Sequence, residues 1–138
     1  MPGEMDLNRI LQTLSPVLLE DTYVFCALPD HQYGDLAELS PLAAVQEPEG
    51  LTLIIKAQDA QREHLPFHGL FRCIRLEVHS SLESVGLTAR LSTALAEQGI
   101  SANLIAGAHH DQVLVPEQSA VQALQILESL SANAPTLR

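Results

Sequence analysis

Along the chain, the apolar positions change period just before residue 80. Ile74, Leu76 and Val78 alternate with Arg75 and Glu77, the pattern of a strand with one buried face. Leu87, Leu91, Ala94 and Leu95 then fall at i, i+4, i+7 and i+8, which lines one side of an amphipathic helix. The spacing predicts a strand over 71–78, a helix over 84–98 ended by Gly99 as a cap, and a returning strand over 100–106. A tight turn over 107–111 leads to a strand over 112–115. Pro116 and Glu117 open a last helix with Ala120, Ala123, Leu124, Leu127 and Leu130 inward. Strand, helix, strand, strand, helix is most of a ferredoxin-like βαββαβ unit, an α+β fold with helices on one face of an antiparallel sheet. The closing strand is missing, so the open edge is expected to be covered by the other half of the chain or by a second copy.

The first half has a looser pattern. Asp6 is placed to cap a helix with Leu7, Ile10, Leu11 and Leu14 on one side, and Pro16 stops it. Tyr23–Leu28 reads as a strand and 30–41 as a surface loop. Val45–Glu47, the turn residues Pro48, Glu49 and Gly50, and Leu51–Lys56 predict a hairpin whose second arm is apolar enough to be central. Asp59 is read as the cap of a single helical turn reaching His64, and Pro66 makes 65–69 the natural boundary. The chain therefore divides into halves, 1–66 and 67–138, each near the size at which a lone core is marginal.

Composition narrows the partners. The 138 residues carry a net charge of -10, and seven Lys plus Arg are scattered singly, leaving no basic stripe for nucleic acid or anionic lipid. No apolar run approaches membrane-spanning length, and Glu4 and Asp6 precede the first apolar residues. Cys26 and Cys73 lie far apart in apolar runs without CxxC spacing, which points to buried free thiols in a reducing, cytoplasmic setting.

The chemistry gathers where the period changes. Ser80 and Glu83 have capping-box spacing and Ser84 is a second candidate N-cap, so backbone N–H groups should leave this turn free to receive a carboxylate. Gly86, with no Cβ, either lets a ligand or another backbone approach closely or simply allows the helix to pack on the sheet. Asn103, opposite Ala102 and Leu104, offers an amide to a ligand, or is an ordinary exposed strand residue. Asp111 offers a carboxylate to an ammonium group, or bonds its own turn. His109, His110 and Asp111, with His79, have metal-ligating side chains, but neighbours on a strand point apart, so no metal site is expected. Ser80, Ser81, His79 and Asp111 are hydrolase residue types without a GxSxG elbow, so no catalysis is expected.

Ser-Val-Gly-Leu-Thr-Ala-Arg-Leu-Ser-Thr-Ala-Leu-Ala-Glu-Gln-Gly-Ile-Ser-Ala-Asn-Leu-Ile-Ala, from Ser84 to Ala106, resembles the ACT domain, the regulatory module of amino-acid metabolism. With His-His-Asp-Gln-Val-Leu-Val-Pro from His109 to Pro116, and Glu-Gly-Leu-Thr-Leu-Ile from Glu49 to Ile54, the chain is similar to small bacterial tandem-ACT proteins. Those proteins resemble the tandem-ACT arginine sensor and the regulatory part of aspartate kinases. The resemblance implies two ACT-like units, a homodimer, and an amino acid or related metabolite held where helix-opening turns meet an interface. Many ACT domains have Pro-Gly where this chain has Val85-Gly86, so ligand identity does not carry over.

The expected site is therefore Ser80, Ser81, Ser84, Val85, Gly86, Leu87 and Thr88 around the carboxylate, with Asn103 and Asp111 toward the ammonium group. The expected function is a non-catalytic regulator binding a small molecule, with no cofactor, no metal, no nucleic acid and no membrane. The alternative is a structural or protein-interaction module without a small ligand, and a small hydrolase or metal-binding protein is the remaining reading.

Overall fold

The structure, a computed structural model, describes residues 6–77 and 85–132. Its strands are β1 (Pro16–Leu28), β2 (Ala43–Glu47), β3 (Gly50–Lys56), β4 (His68–Leu76), β5 (Asn103–Ala106) and β6 (Asp111–Pro116). The helices are α1 (Leu7–Gln12), α2 (Ala57–Arg62), α3 (Leu87–Glu97) and α4 (Ala120–Ala132), with short 3-10 turns at Ala37–Leu39 and Glu117–Ser119. The strand order is β2-β3-β1-β4-β6-β5. Two compact units form: one holds 1–19 and 72–138, the other 20–71. Both β1 and β4 run through the division, so each unit takes part of each strand.

In the larger unit, the helix–strand pattern gives a single apolar layer. Ile74 and Leu76 of β4, Val113 and Val115 of β6, Leu87, Leu91, Ala94 and Leu95 of α3, and Ala120, Ala123, Leu127 and Leu130 of α4 share one buried cluster. Ile10, Leu11 and Leu14, from or just after α1, belong to it as well. Asp6 caps α1 as the sequence predicts, its Oδ1 accepting from the N–H groups of Asn8 at 3.0 Å and Arg9 at 3.3 Å. The strand missing after α4 is replaced by the first residues of β1, because β1 is the neighbour of β4 in the strand order.

Strand β1 starts at Pro16, earlier than the Tyr23 expected from the apolar run. Pro16 ends the helical stretch and also opens the strand, a position where a missing N–H costs no ladder bond. Strand β4 starts at His68, and Val78, its expected end, lies outside the described residues. Helix α3 starts at Leu87, and its N-cap is Gly86; Ser80, Ser81, Glu83 and Ser84 lie outside the described residues.

At its other end α3 closes with Gly99 at φ 72. The Gly99 N–H donates to Ala96 O at 2.9 Å and the Ile100 N–H to Leu95 O at 3.0 Å, the paired bonds of a Schellman motif. That motif explains a correction: Ile100 is part of the helix stop, its side chain buried with Leu95, and β5 begins only at Asn103.

The smaller unit carries the hairpin of β2 and β3, in register Ala43↔Ile54 through Glu47↔Gly50, and β3 pairs antiparallel with β1 from Tyr23↔Lys56 to Leu28↔Leu51. Val24, Cys26, Leu28, Leu51, Leu53, Ile55 and Ala60 form its core. Helix α2 has Lys56 as its N-cap; Asp59, expected there, sits in the first turn and pairs with Arg62 at 3.0 Å. On the opposite side of the sheet Phe25 and Phe71 meet edge to face, centroids 5.0 Å apart.

Candidate functional site

Among the described residues, no side chain caps the start of helix α3 in the larger unit. Gly86 sits at φ 98, a left-handed conformation that L side chains rarely adopt, and its carbonyl accepts the first intrahelical bond, from the Arg90 N–H at 2.9 Å. The N–H groups of Leu87, Thr88 and Ala89 have no acceptor within their own helix. A Cβ added to Gly86 would lie 3.4 Å from Cδ2 of Leu7. The glycine is therefore required by backbone conformation first, and the group that approaches it here is the Leu7 side chain.

The other residues of the expected site are placed unevenly. Leu87 is buried in the apolar cluster, so only its backbone can meet a ligand. Thr88 is exposed on the first turn, and its carbonyl accepts from Ser92 Oγ at 2.8 Å. Val85 is 83% exposed beside the turn.

Asn103 and Asp111 do not come together. In the β5–β6 ladder Asn103 pairs with Leu114, whereas Asp111 pairs with Ala106 at the other end of the hairpin, roughly 10 Å away at 3.3 Å per residue. Side chains alternate, and Asp111 has the parity of Val113 and Val115, which face the helices. Asn103 points to the opposite side and is exposed. One ammonium group cannot touch both.

Asp111 and the opening of α3 both belong to the larger unit. Cys73, three residues before the end of β4, donates its S–H to Gln112 Oε1, the sulfur and oxygen 3.2 Å apart, so the start of β6 lies beside β4. The turn from β5 closes beside it, the Gly107 N–H donating to His110 O at 3.0 Å. Partial burial on the helix side pushes the Asp111 carboxyl above the usual carboxylate range. His109 and His110 are both exposed, and among the described residues no group of three or more His, Cys, Asp or Glu converges on a metal-sized site. No described helix is long and apolar enough to cross a membrane. Cys26 and Cys73 are buried free thiols.

The smaller unit has a feature absent from the sequence-based site. Where the larger unit has α3 after its first strand, this one has a loop from Pro29 to Leu42 with a single 3-10 turn. Beneath the loop is a cavity of about 410 Å³, bordered by Tyr33, Asp35, Pro41, Leu42, Ala44 and Leu53 among others. A long connection with almost no regular structure, read only as a surface loop, was the available signal.

Two family models, both describing an ACT domain, match the chain, one over residues 2–72 and the other over 71–129. A protein of unknown function from Vibrio cholerae, described as a possible transport protein, is 47% identical, with 91% of this chain and 95% of that chain covered and a TM-score of 0.82. An Agrobacterium tumefaciens protein is 12% identical, covering 86% of this chain and 89% of its own, with a TM-score of 0.70. The ligand-free regulatory subunit of aspartate kinase from Thermus thermophilus is 16% identical, covering 86% and 98%, with a TM-score of 0.59. At such identities the last two show a common fold. No curated protein matches.

Proposed function

The chain belongs to the ACT-domain family, with one match in each half, and on that premise we propose that it is a non-catalytic cytoplasmic regulator that binds an amino acid or related metabolite. The observation that carries this reading is the opening of α3, which no described side chain caps, in the same unit as Asp111, a carboxylate partly buried on β6. Free N–H groups of the first turn suit a carboxylate, and the helix dipole adds about 0.3–1 kcal/mol. Asp111 suits an ammonium group through a charge-assisted hydrogen bond. The proposed contacts are the backbone from Val85 to Thr88 and the Asp111 carboxylate; Ser80, Ser81 and Ser84, also expected at the site, lie outside the described residues. Asn103 has no part in it, since it lies on the other side of the sheet.

A homodimer is part of the same proposal. Among the described residues, strands β2 and β5 end the strand order, and strand edges of this kind invite a second copy.

Calorimetric titration of the full chain with each of the common amino acids tests the ligand reading. Saturable binding by at least one, without its consumption, supports a regulator. Binding by none supports a protein-interaction module instead, and turnover would overturn the non-catalytic reading.

A further inference from the structure

The cavity under the loop of the smaller unit follows from chain length and covering power. In the larger unit the residues after the first strand form an eleven-residue helix, Leu87–Glu97, with four buried apolar side chains. In the smaller unit the equivalent connection has only the three-residue turn Ala37–Leu39, with Leu39 buried. Such a loop shields less of the sheet than a helix, and the space of about 410 Å³ over Ala44 and Leu53 remains. That is within the range of small-molecule pockets.

The loop is held in place. The Tyr33 N–H donates to Gln46 Oε1, and Gln46 Nε2 donates to Gly50 O at 3.1 Å, so one β2 side chain joins the loop to the hairpin. The Leu42 N–H donates to Ile54 O at 2.8 Å. The Gln32 N–H donates to Asp35 Oδ2 at 2.9 Å. Binding would therefore need little ordering of the loop, which removes one of the usual costs.

The border is mostly aliphatic, and its one charged residue is Asp35. Among the described residues no Lys or Arg pairs with that carboxylate, whose second oxygen can meet a cation. Tyr33, on the same border, is 73% exposed, and a tyrosine ring attracts an ammonium group to its face. The net charge of -10 adds long-range attraction for cations and repels anions.

We propose, independently of the ligand reading for the other unit, that this cavity is a binding site for a small organic ammonium ion with an apolar body. The ammonium group meets Asp35 and the Tyr33 ring, and the apolar body lies against Pro41, Leu42, Ala44 and Leu53.

The test is an NMR titration of the full ¹⁵N-labelled chain with phenethylammonium chloride at millimolar concentration, with phenylethanol and phenylpropionate as the neutral and anionic counterparts. Saturable shifts of the Tyr33, Gly34, Ala43 and Ala44 amides by the ammonium compound, at least tenfold tighter than by either counterpart, are expected. Asp35→Asn keeps an acceptor for the Gln32 N–H and should weaken binding at least tenfold with the rest of the spectrum unchanged. Ala44→Phe, which fills the cavity from β2, should abolish binding. The proposal is overturned if no saturable shift occurs, if the alcohol binds as well, if both variants bind like wild type, or if the shifts fall instead at Val85–Thr88 and Asp111. That last pattern would support the site in the larger unit.

Discussion

The guanidinium of Arg72 in β4 donates from Nε at 3.1 Å and from Nη2 at 2.6 Å to the carbonyl of Leu19 in β1. Further along the same pair of segments, the Glu77 N–H donates to Ser15 O at 3.0 Å. These bonds bind the beginning of the chain into a unit otherwise made of residues 72–138. Residues 67–138 alone would lack both this strand and the buried side chains of Ile10, Leu11 and Leu14. We expect the fragment to be unfolded or molten; a dispersed, stable NMR spectrum from 67–138 would contradict this. In the full chain, Leu11→Ala should cost about 2–5 kcal/mol in denaturant unfolding.

Gly86→Ala should destabilise the chain by about 1–2 kcal/mol, because the left-handed φ of 98 penalises any Cβ. Crowding adds little to this, since the nearest atom is the end of a flexible leucine at 3.4 Å. Gly86→Val should be worse, with a branched Cβ beside Leu7. A thermal midpoint unchanged in both variants would show that the strain is absent.

The Asp111 carboxyl is raised by desolvation, so the folded state holds its proton more tightly than the unfolded state. Its contribution favours folding at pH below the usual carboxylate range and is lost as pH rises through the folded value. Asp111→Asn should therefore raise the melting temperature at pH 7 and leave it nearly unchanged near pH 3. If an amino acid binds the wild type as proposed, the same variant should bind it at least tenfold more weakly. A variant less stable at pH 7 but equally tight in binding would remove Asp111 from the proposal.

Burial pushes the Cys73 thiol up to about 11, against a smaller lowering by Arg75. The native chain should therefore react slowly with an aromatic disulfide reagent at pH 8, and both thiols should react only after denaturation. The raised value also means that stability falls between about pH 9 and 11, where the unfolded thiol ionises first. Fast labelling of Cys73 in the native state would contradict its burial.

For the proposed dimer, light scattering at micromolar concentration should give twice the mass of 15.0 kDa. A monomer would show that the strand edges are protected some other way. Phe71 and Cys73 do not supply an apolar patch for the contact: Phe71 meets Phe25 and Cys73 is fully buried. Val121, 62% exposed on α4, remains uncovered.

Local periodicity was enough for the α+β class, the hairpin, the Asp6 cap, the Gly99 helix stop and the inward faces of α3 and α4. Each of these depends on residues within a few positions of one another: capping bonds, i and i+4 neighbours, or alternation across a pleat. The motif from Ser84 to Ala106 carried the family in the same local way. What only the tertiary structure decided depends on partners far apart in sequence. The edge left after α4 is covered by β1, because an unpaired ladder beside β4 accepts whichever strand the chain can bring there. Pro16 reads as a helix stop until that pairing makes it the start of a strand. Asn103 and Asp111 look like one polar pair along the chain, yet the β5–β6 register sends them to opposite ends and opposite faces. The cavity by Asp35 is the volume that a long loop does not fill, and volume is a property of packed elements rather than of any residue pattern.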